Sequence, residues 1–129
     1  MTSAILCVDD EVIILESLKE HLKRCFRDRY IYEVAESAEE AWEVIEELHN
    51  DGIQILAIVS DWLMPGIKGD EFLFKIHQAF PNVITVMLTG QADNTAINRA
   101  KKEANLYACI YKPWTENELF QTISAALNQ

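Results

Sequence analysis

The stretch from Ile55 to Gly66 constrains the fold more than any other part of the chain. It opens with an unbroken apolar run, Ile55-Leu56-Ala57-Ile58-Val59, which is typical of a strand buried on both faces of a parallel sheet. The strand ends at Asp61, and the Met64-Pro65-Gly66 segment that follows cannot continue it. Asp61 is thus predicted at the carboxyl end of a central strand, the edge at which ligands bind in open α/β sheets. The competing interpretation is a solvated acid, and the other acids of the chain decide between the two.

Short apolar strands alternate with amphipathic helical segments along the whole chain. Besides the central strand, the predicted strands are Ala4–Val8, Tyr30–Ala35, Val83–Leu88 and Leu106–Tyr111. The predicted helices run from Val12 to about Arg27, from Ser37 to about Asn50, from about Asp70, from Asp93 to Ala104 and from Thr115 onward. Ser37 and Thr115 each have a glutamate three residues later, which is the capping-box pattern of a helix start. The alternation predicts one α/β domain over residues 1–129, with a parallel sheet covered by helices on both faces in a doubly wound arrangement.

The composition narrows the class of protein. The net charge of -10 argues against direct binding of nucleic acid, which needs clustered lysine and arginine. The three cysteines match no zinc pattern, and the longest apolar runs have only the length of strands. With no signal peptide or membrane span in the sequence, we expect a cytoplasmic protein that does not bind membranes.

Polar side chains follow four of the five predicted strands. They are Asp9, Asp10 and Glu11 after the first strand, Asp61 after the third, Thr89 after the fourth and Lys112 after the fifth. Because the carboxyl ends of parallel strands meet at one edge of a sheet, these groups are expected to converge. Three clustered carboxylates repel one another, and a hard cation removes that penalty. Asp9, Asp10 and Asp61 therefore predict a Mg²⁺ site.

The same groups suit phosphoryl chemistry. One of the carboxylates is a candidate nucleophile that would form an acyl phosphate. The ammonium of Lys112, the hydroxyl of Thr89 and Mg²⁺ would match the charge on the phosphoryl oxygens, and Gly90 would leave space for the group. Each residue also has a plain structural explanation, such as a helix cap at Asp10, but the ordered set favours a functional site.

With these motifs in place, the sequence closely resembles the receiver domain of bacterial two-component response regulators over nearly its whole length. The residues that carry the resemblance are Val8-Asp9-Asp10-Glu11, Asp61-Trp62-Leu63-Met64-Pro65-Gly66, Leu88-Thr89-Gly90 and Tyr111-Lys112-Pro113. The resemblance implies a flavodoxin-like (βα)5 fold with a five-stranded parallel sheet of order 2-1-3-4-5. It also implies that Asp61 is the phosphoacceptor and that Thr89 and Lys112 contact the phosphoryl oxygens. The Mg²⁺ ligands that it implies are Asp10, Asp61, Asp9 through water and the backbone carbonyl of Leu63.

The resemblance further implies a signalling role. The phosphoryl donor would be a phosphohistidine on a sensor histidine kinase or phosphotransfer protein, and the domain would catalyse only its own phosphorylation and dephosphorylation. Thr89 would then bias the surface formed by the fourth helix, fifth strand and fifth helix toward a downstream effector protein or an attached effector domain. The sparse apolar face of segment 93–104 fits an element that can shift. A homodimer through the last two helices is left open.

Two positions give more specific hypotheses. The family usually has an aromatic residue three positions before the lysine, where this chain has Cys109. Because Tyr107, Cys109 and Tyr111 alternate along one strand, we expect them to share a face, so that one of the tyrosines covers the space beside Cys109. Gln91, two residues after Thr89, is a candidate for orienting the water that hydrolyses the acyl phosphate.

Two other functions use similar residues. A phosphohydrolase of the haloacid dehalogenase type needs a second acid two residues after the nucleophile, and that position is Leu63. A pseudo-receiver, which binds partners without being phosphorylated, usually lacks one or more of the site residues that this chain retains.

Overall fold

The computed structural model describes residues 2–62, 69–90 and 94–128. The strands are β1 Ser3–Val8, β2 Ile31–Ala35, β3 Gln54–Asp61, β4 Ile84–Thr89 and β5 Ala108–Tyr111. The helices are α1 Val12–Phe26, α2 Ala38–Asn50, α3 Gly69–Ala79, α4 Asn94–Glu103 and α5 Glu116–Leu127, with a short 3-10 helix at Arg27–Arg29. Strands and helices alternate in the predicted order.

The strands form one parallel sheet in the order β2-β1-β3-β4-β5. This confirms the flavodoxin-like fold and its strand order. The register pairs Val8 of β1 with Ser60 of β3, and Asp61 of β3 with Leu88 of β4. The carboxyl ends of the three central strands therefore lie level with one another, and residues that follow them emerge at one edge.

The sheet is buried on both faces, which explains the unbroken apolar runs of its central strands. Side chains alternate between the faces along each strand, so that Leu6 and Cys7 belong to two different core clusters. The cluster with Leu6 packs beneath α2, α3 and α4, and the cluster with Cys7 packs beneath α1 and α5. Among the described helices, none combines the length and the apolar character needed to cross a membrane.

The helix caps predicted at Ser37 and Thr115 are present. The hydroxyl of Ser37 accepts the backbone N–H of Glu40 at 3.1 Å, and that of Thr115 accepts the N–H of Glu118 at 3.0 Å. The alternative explanation of Asp10 as the helix cap is not supported, because the N-cap residue of α1 is Glu11, whose side chain forms no capping bond. The carboxylate of Asp9 accepts the N–H of Glu11 instead, which turns the chain from β1 into α1.

The last strand begins two residues later than predicted, at Ala108 rather than Leu106. The N–H of Leu106 donates to the carbonyl of Ala100 and so closes the end of α4 rather than joining the sheet. Tyr107 therefore lies outside the strand alternation: it packs on the α1–α5 cluster, whereas Cys109 packs on the α2–α4 cluster. The prediction that Tyr107 shares a face with Cys109 is wrong.

Candidate functional site at the carboxyl edge of the sheet

Asp9 lies directly after β1 and is fully buried. Its backbone N–H donates to the carbonyl of Ala35 at 3.1 Å, which fixes the residue at the end of the β1–β2 ladder. Its Oδ1 accepts the N–H of Glu11 at 2.9 Å, and its Oδ2 accepts the ammonium of Lys112 at 2.9 Å. The neighbouring Asp10 is exposed. The pair thus offers one carboxylate inside the site and one at its mouth.

Asp61 is the last residue of β3, and only 6% of it is exposed. The chain leaves the strand with the N–H of Trp62 donating to the carbonyl of Leu88 at 2.9 Å. Burial raises the pKa of Asp61, the hydrogen bond from Lys112 lowers it, and the negative charge of Asp9 raises it again. The net effect is a raised pKa, so Asp61 is harder to ionise in this structure than a solvated aspartate even with Lys112 beside it.

Lys112 brings a positive charge to the two aspartates from the far edge of the sheet. Its Nζ lies 2.9 Å from Asp9 Oδ2 and 2.9 Å from Asp61 Oδ1. Its backbone N–H donates to the carbonyl of Thr89 at 2.8 Å, which holds the residue beside β4. Burial alone would lower the pKa of Lys112, but the hydrogen bonds to the two aspartates outweigh burial and raise it. The ammonium therefore stays charged between two carboxylates.

Thr89 ends β4, between the strands that carry Asp61 and Lys112, and is 1% exposed. In the β4–β5 ladder it pairs with Tyr111, which is half-exposed. A Cβ at the next residue, Gly90, would have no described atom within 4 Å. Within the described part of the chain, this end of the strand is therefore free of crowding atoms, as the expected phosphoryl position requires.

The carboxylates of Asp9, Asp10 and Asp61 form a cluster in which one oxygen of each lies within 4.8 Å of the others. Oxygen ligands of this type, few in number and partly open to water, are those that Mg²⁺ prefers. Two of the three acids are buried, whereas Asp10 is exposed. The donor set therefore fits Mg²⁺.

The structure brings together all of the predicted site side chains that it describes: Asp9, Asp10, Asp61, Thr89 and Lys112. The backbone carbonyl of Leu63 and the side chain of Gln91, both named from the sequence, lie outside the described residues. Sequence reasoning missed the direct bond between Lys112 and Asp9, and it missed a hydrogen bond from Trp114 to His21 next to the lysine. Neither hydrogen bond could be predicted from residue spacing, because each joins residues that are far apart in the chain.

Comparisons with known proteins point to one protein family. The model of the response regulator receiver domain family matches residues 5–124. The hydrogenase transcriptional regulatory protein HoxA of Cupriavidus necator is 29% identical over 125 residues, which make up 97% of this chain and 24% of HoxA. The chain thus spans about a quarter of the length of that relative.

Solved structures show the same fold. The signal receiver domain of an HD domain-containing protein from Pseudomonas fluorescens Pf-5 superposes with a TM-score of 0.86 at 27% identity, covering 99% of this chain and 96% of that one. The beryllofluoride-activated NtrC4 receiver domain dimer superposes with a TM-score of 0.83 at 28% identity, covering 97% and 96% of the two chains. Since the family model covers most of the sequence and the fold agrees, the chain belongs to the response regulator receiver domain family.

Proposed function

We propose that residues 1–129 form one receiver domain that works as a phosphorylation-dependent switch, with Asp61 as the phosphoacceptor. The donor is a phosphohistidine on a sensor histidine kinase or a phosphotransfer protein. The observation that carries the proposal is the single ammonium of Lys112 bonded to both Asp9 and Asp61, beside the exposed carboxylate of Asp10. This arrangement places positive charge next to a buried carboxylate at the open edge of the sheet.

The proposed transfer uses the side chains gathered at this edge of the sheet. A carboxylate oxygen of Asp61 attacks phosphorus, and the P–N bond to the imidazole breaks as the P–O bond forms, with its electron pair leaving on the nitrogen. Lys112 moves from Asp61 Oδ1 to a phosphoryl oxygen, and the hydroxyl of Thr89 donates to another. Asp10, Asp61, the carbonyl of Leu63 and, through water, Asp9 would hold Mg²⁺, which would supply further positive charge for the phosphoryl oxygens.

The proposed output is a change at the α4–β5–α5 surface when Thr89 engages the phosphoryl group. That surface acts on a downstream effector protein or an attached effector domain. HoxA is by its name a transcriptional regulatory protein, which fits an attached effector in that relative. The NtrC4 neighbour is a receiver dimer, which supports a homodimer as one form of output. The cytoplasmic setting stays a prediction from the sequence.

The domain is proposed to catalyse no reaction beyond its own phosphorylation and the hydrolysis of its acyl phosphate. Gln91 is a candidate for positioning the hydrolytic water, and an unchanged dephosphorylation rate in Gln91→Ala would remove it. Tyr111, half-exposed and paired with Thr89, is the remaining candidate for covering the space beside Cys109. Unchanged partner binding by the phosphorylated Tyr111→Ala variant would exclude that role.

The experiment that tests the function is intact-mass spectrometry after incubation with acetyl phosphate, with and without Mg²⁺. We expect a phosphoryl adduct that requires Mg²⁺ and is absent in Asp61→Asn. Asp51→Asn, at an exposed C-cap of α2, is the matched control and should be phosphorylated like the wild type. An unmodified wild-type protein would contradict the proposal and favour the pseudo-receiver.

A further inference from the structure

The loop between β5 and α5 carries Lys112 and, two residues later, Trp114. The indole N–H of Trp114 donates to Nδ1 of His21 in the middle of α1, at 3.1 Å. The two rings meet edge to face with their centroids 6.1 Å apart. Because an indole is only a donor, Nδ1 of His21 is the acceptor of this bond.

We propose that Trp114 and His21 form a positioning pair that holds Lys112 in contact with Asp9 and Asp61, an inference that rests on the proposed function. The loop is fixed on both sides of the lysine. At Lys112 itself, the backbone N–H donates to the carbonyl of Thr89. Two residues later, the ring of Trp114 packs on the α1–α5 core cluster and its N–H donates to His21 of α1. The two anchors leave the backbone of Lys112 little freedom.

The two hydrogen bonds of the Lys112 ammonium depend on where the backbone of the residue is held. Its ammonium forms two hydrogen bonds of 2.9 Å to carboxylates on two different strands, β1 and β3. A backbone shift of about 1 Å would lengthen at least one of these bonds past a useful distance. The same shift would misplace the ammonium relative to the phosphoryl oxygens. A residue that acts only by holding Lys112 should therefore affect the rate of phosphoryl transfer.

The positioning role of Trp114 and His21 can be distinguished from the general packing of α1 on α5. That interface also contains the stacked rings of Phe26 and Phe120, 5.7 Å apart, and the ion pair of Arg24 with Glu116 at 3.5 Å. Loss of the His21 bond thus leaves other α1–α5 contacts in place. Arg24→Gln removes a polar contact across the same interface without touching the loop, and it serves as the matched control.

The test compares Trp114→Phe, His21→Leu and His21→Asn in Mg²⁺-dependent phosphorylation by acetyl phosphate. Trp114→Phe keeps an aromatic ring without the donor, and His21→Leu removes the acceptor. We expect both to lower the maximal phosphorylation rate roughly three- to tenfold, the loss of one well-placed hydrogen bond, with unchanged Mg²⁺ affinity by calorimetry. The Oδ1 of an asparagine can replace Nδ1 as the acceptor, so His21→Asn should recover most of the rate. Arg24→Gln should react like the wild type.

The outcomes separate this inference from the proposed function. Wild-type rates in both Trp114→Phe and His21→Leu overturn the positioning role and leave the function intact. A rate in His21→Asn as low as in His21→Leu also overturns it, because the acceptor would then not matter. Absence of any adduct in the wild type overturns both. If His21→Leu fails to fold, the comparison of Trp114→Phe with Arg24→Gln decides.

Discussion

The ammonium of Lys112 lies 2.9 Å from Oδ2 of Asp9, although 103 positions separate the two residues in the chain. Asp9 follows β1 and Lys112 follows β5, and in the sheet β3 and β4 lie between these two strands. The lysine therefore reaches back across the carboxyl edge, and on its way it also contacts Asp61. In the absence of a bound cation, this side chain compensates the repulsion between the two buried carboxylates.

Lys112→Met should therefore destabilise the protein more in EDTA than in saturating Mg²⁺. We expect the free energy of unfolding without Mg²⁺ to fall by about 1–3 kcal/mol, since two buried carboxylates lose their counter-charge. Bound Mg²⁺ would replace much of that charge and reduce the difference. Urea unfolding under both conditions measures the effect, and Lys102→Met, at an exposed position of α4, is the control. An equal loss in EDTA and in Mg²⁺ would contradict the compensation.

Asp61→Asn should stabilise the Mg²⁺-free protein at neutral pH. Burial is the main cause of the raised pKa of Asp61, and the hydrogen bond from Lys112 opposes it only in part. A pKa raised on folding favours the folded state below the unfolded pKa, and this contribution is lost as the pH rises through the folded pKa. At pH 7 the wild-type Asp61 is ionised and no longer makes this contribution to stability, whereas an asparagine has no charge to bury.

The stabilisation by Asp61→Asn should consequently shrink as the pH falls through the raised folded pKa toward the unfolded pKa of about 4, below which the wild-type aspartate becomes protonated in both states. Urea unfolding of both proteins between pH 3 and pH 7, without Mg²⁺, measures the difference. Saturating Mg²⁺ at pH 7 should reduce it as well, because only the wild type retains all three carboxylates. A difference that is constant across pH would show that packing, not charge, causes the effect.

Most of the fold could be predicted from the sequence because two periodic patterns, buried strands and amphipathic helices, alternate with clear turn residues. The position of Asp61 followed directly from where its apolar run ends. The sequence predicts too early a start for β5, because Leu106 has the apolar character of a strand residue but bonds to the end of α4. Spacing along the chain also gives no information on which side chains meet in the fold, so the contact of Lys112 with Asp9 and the pairing of His21 with Trp114 are evident only from the three-dimensional structure.

Thr85→Val should raise the free energy of unfolding by about 1 kcal/mol. Thr85 is 1% exposed in β4, and its hydroxyl has no hydrogen-bond partner within the described part of the chain. Valine has the same shape and removes a polar group that was desolvated without compensation. Thr85→Ser, which keeps the hydroxyl and loses the methyl group, should instead destabilise. Urea unfolding compares the three proteins, and a valine variant that is less stable than the wild type would indicate that the hydroxyl is satisfied.

Cys7 should be the least reactive of the three thiols in the folded protein. It is fully buried in β1, and burial raises its pKa to about 12, with the positive charge of Lys19 opposing only weakly. Because the thiolate is the reactive species, iodoacetamide at pH 8 should modify the half-buried Cys25 and Cys109 well before Cys7. Addition of urea should expose all three. Labelling of Cys7 in the native state as fast as Cys25 would contradict its burial.

The same thiol should make stability depend on alkaline pH. Below the ordinary thiol pKa of 9.0 the group is neutral in both states; above it, only the unfolded chain ionises until the folded pKa of about 12 is reached. The folded state therefore loses stability over this range as the pH rises. Cys7→Ala creates a small cavity and should cost about 1–2 kcal/mol at pH 8, but it has no thiol to ionise. The cost of Cys7→Ala measured by urea unfolding should therefore be smaller at pH 10.5 than at pH 8, and an unchanged cost would mean that Cys7 ionises as readily in the folded as in the unfolded protein.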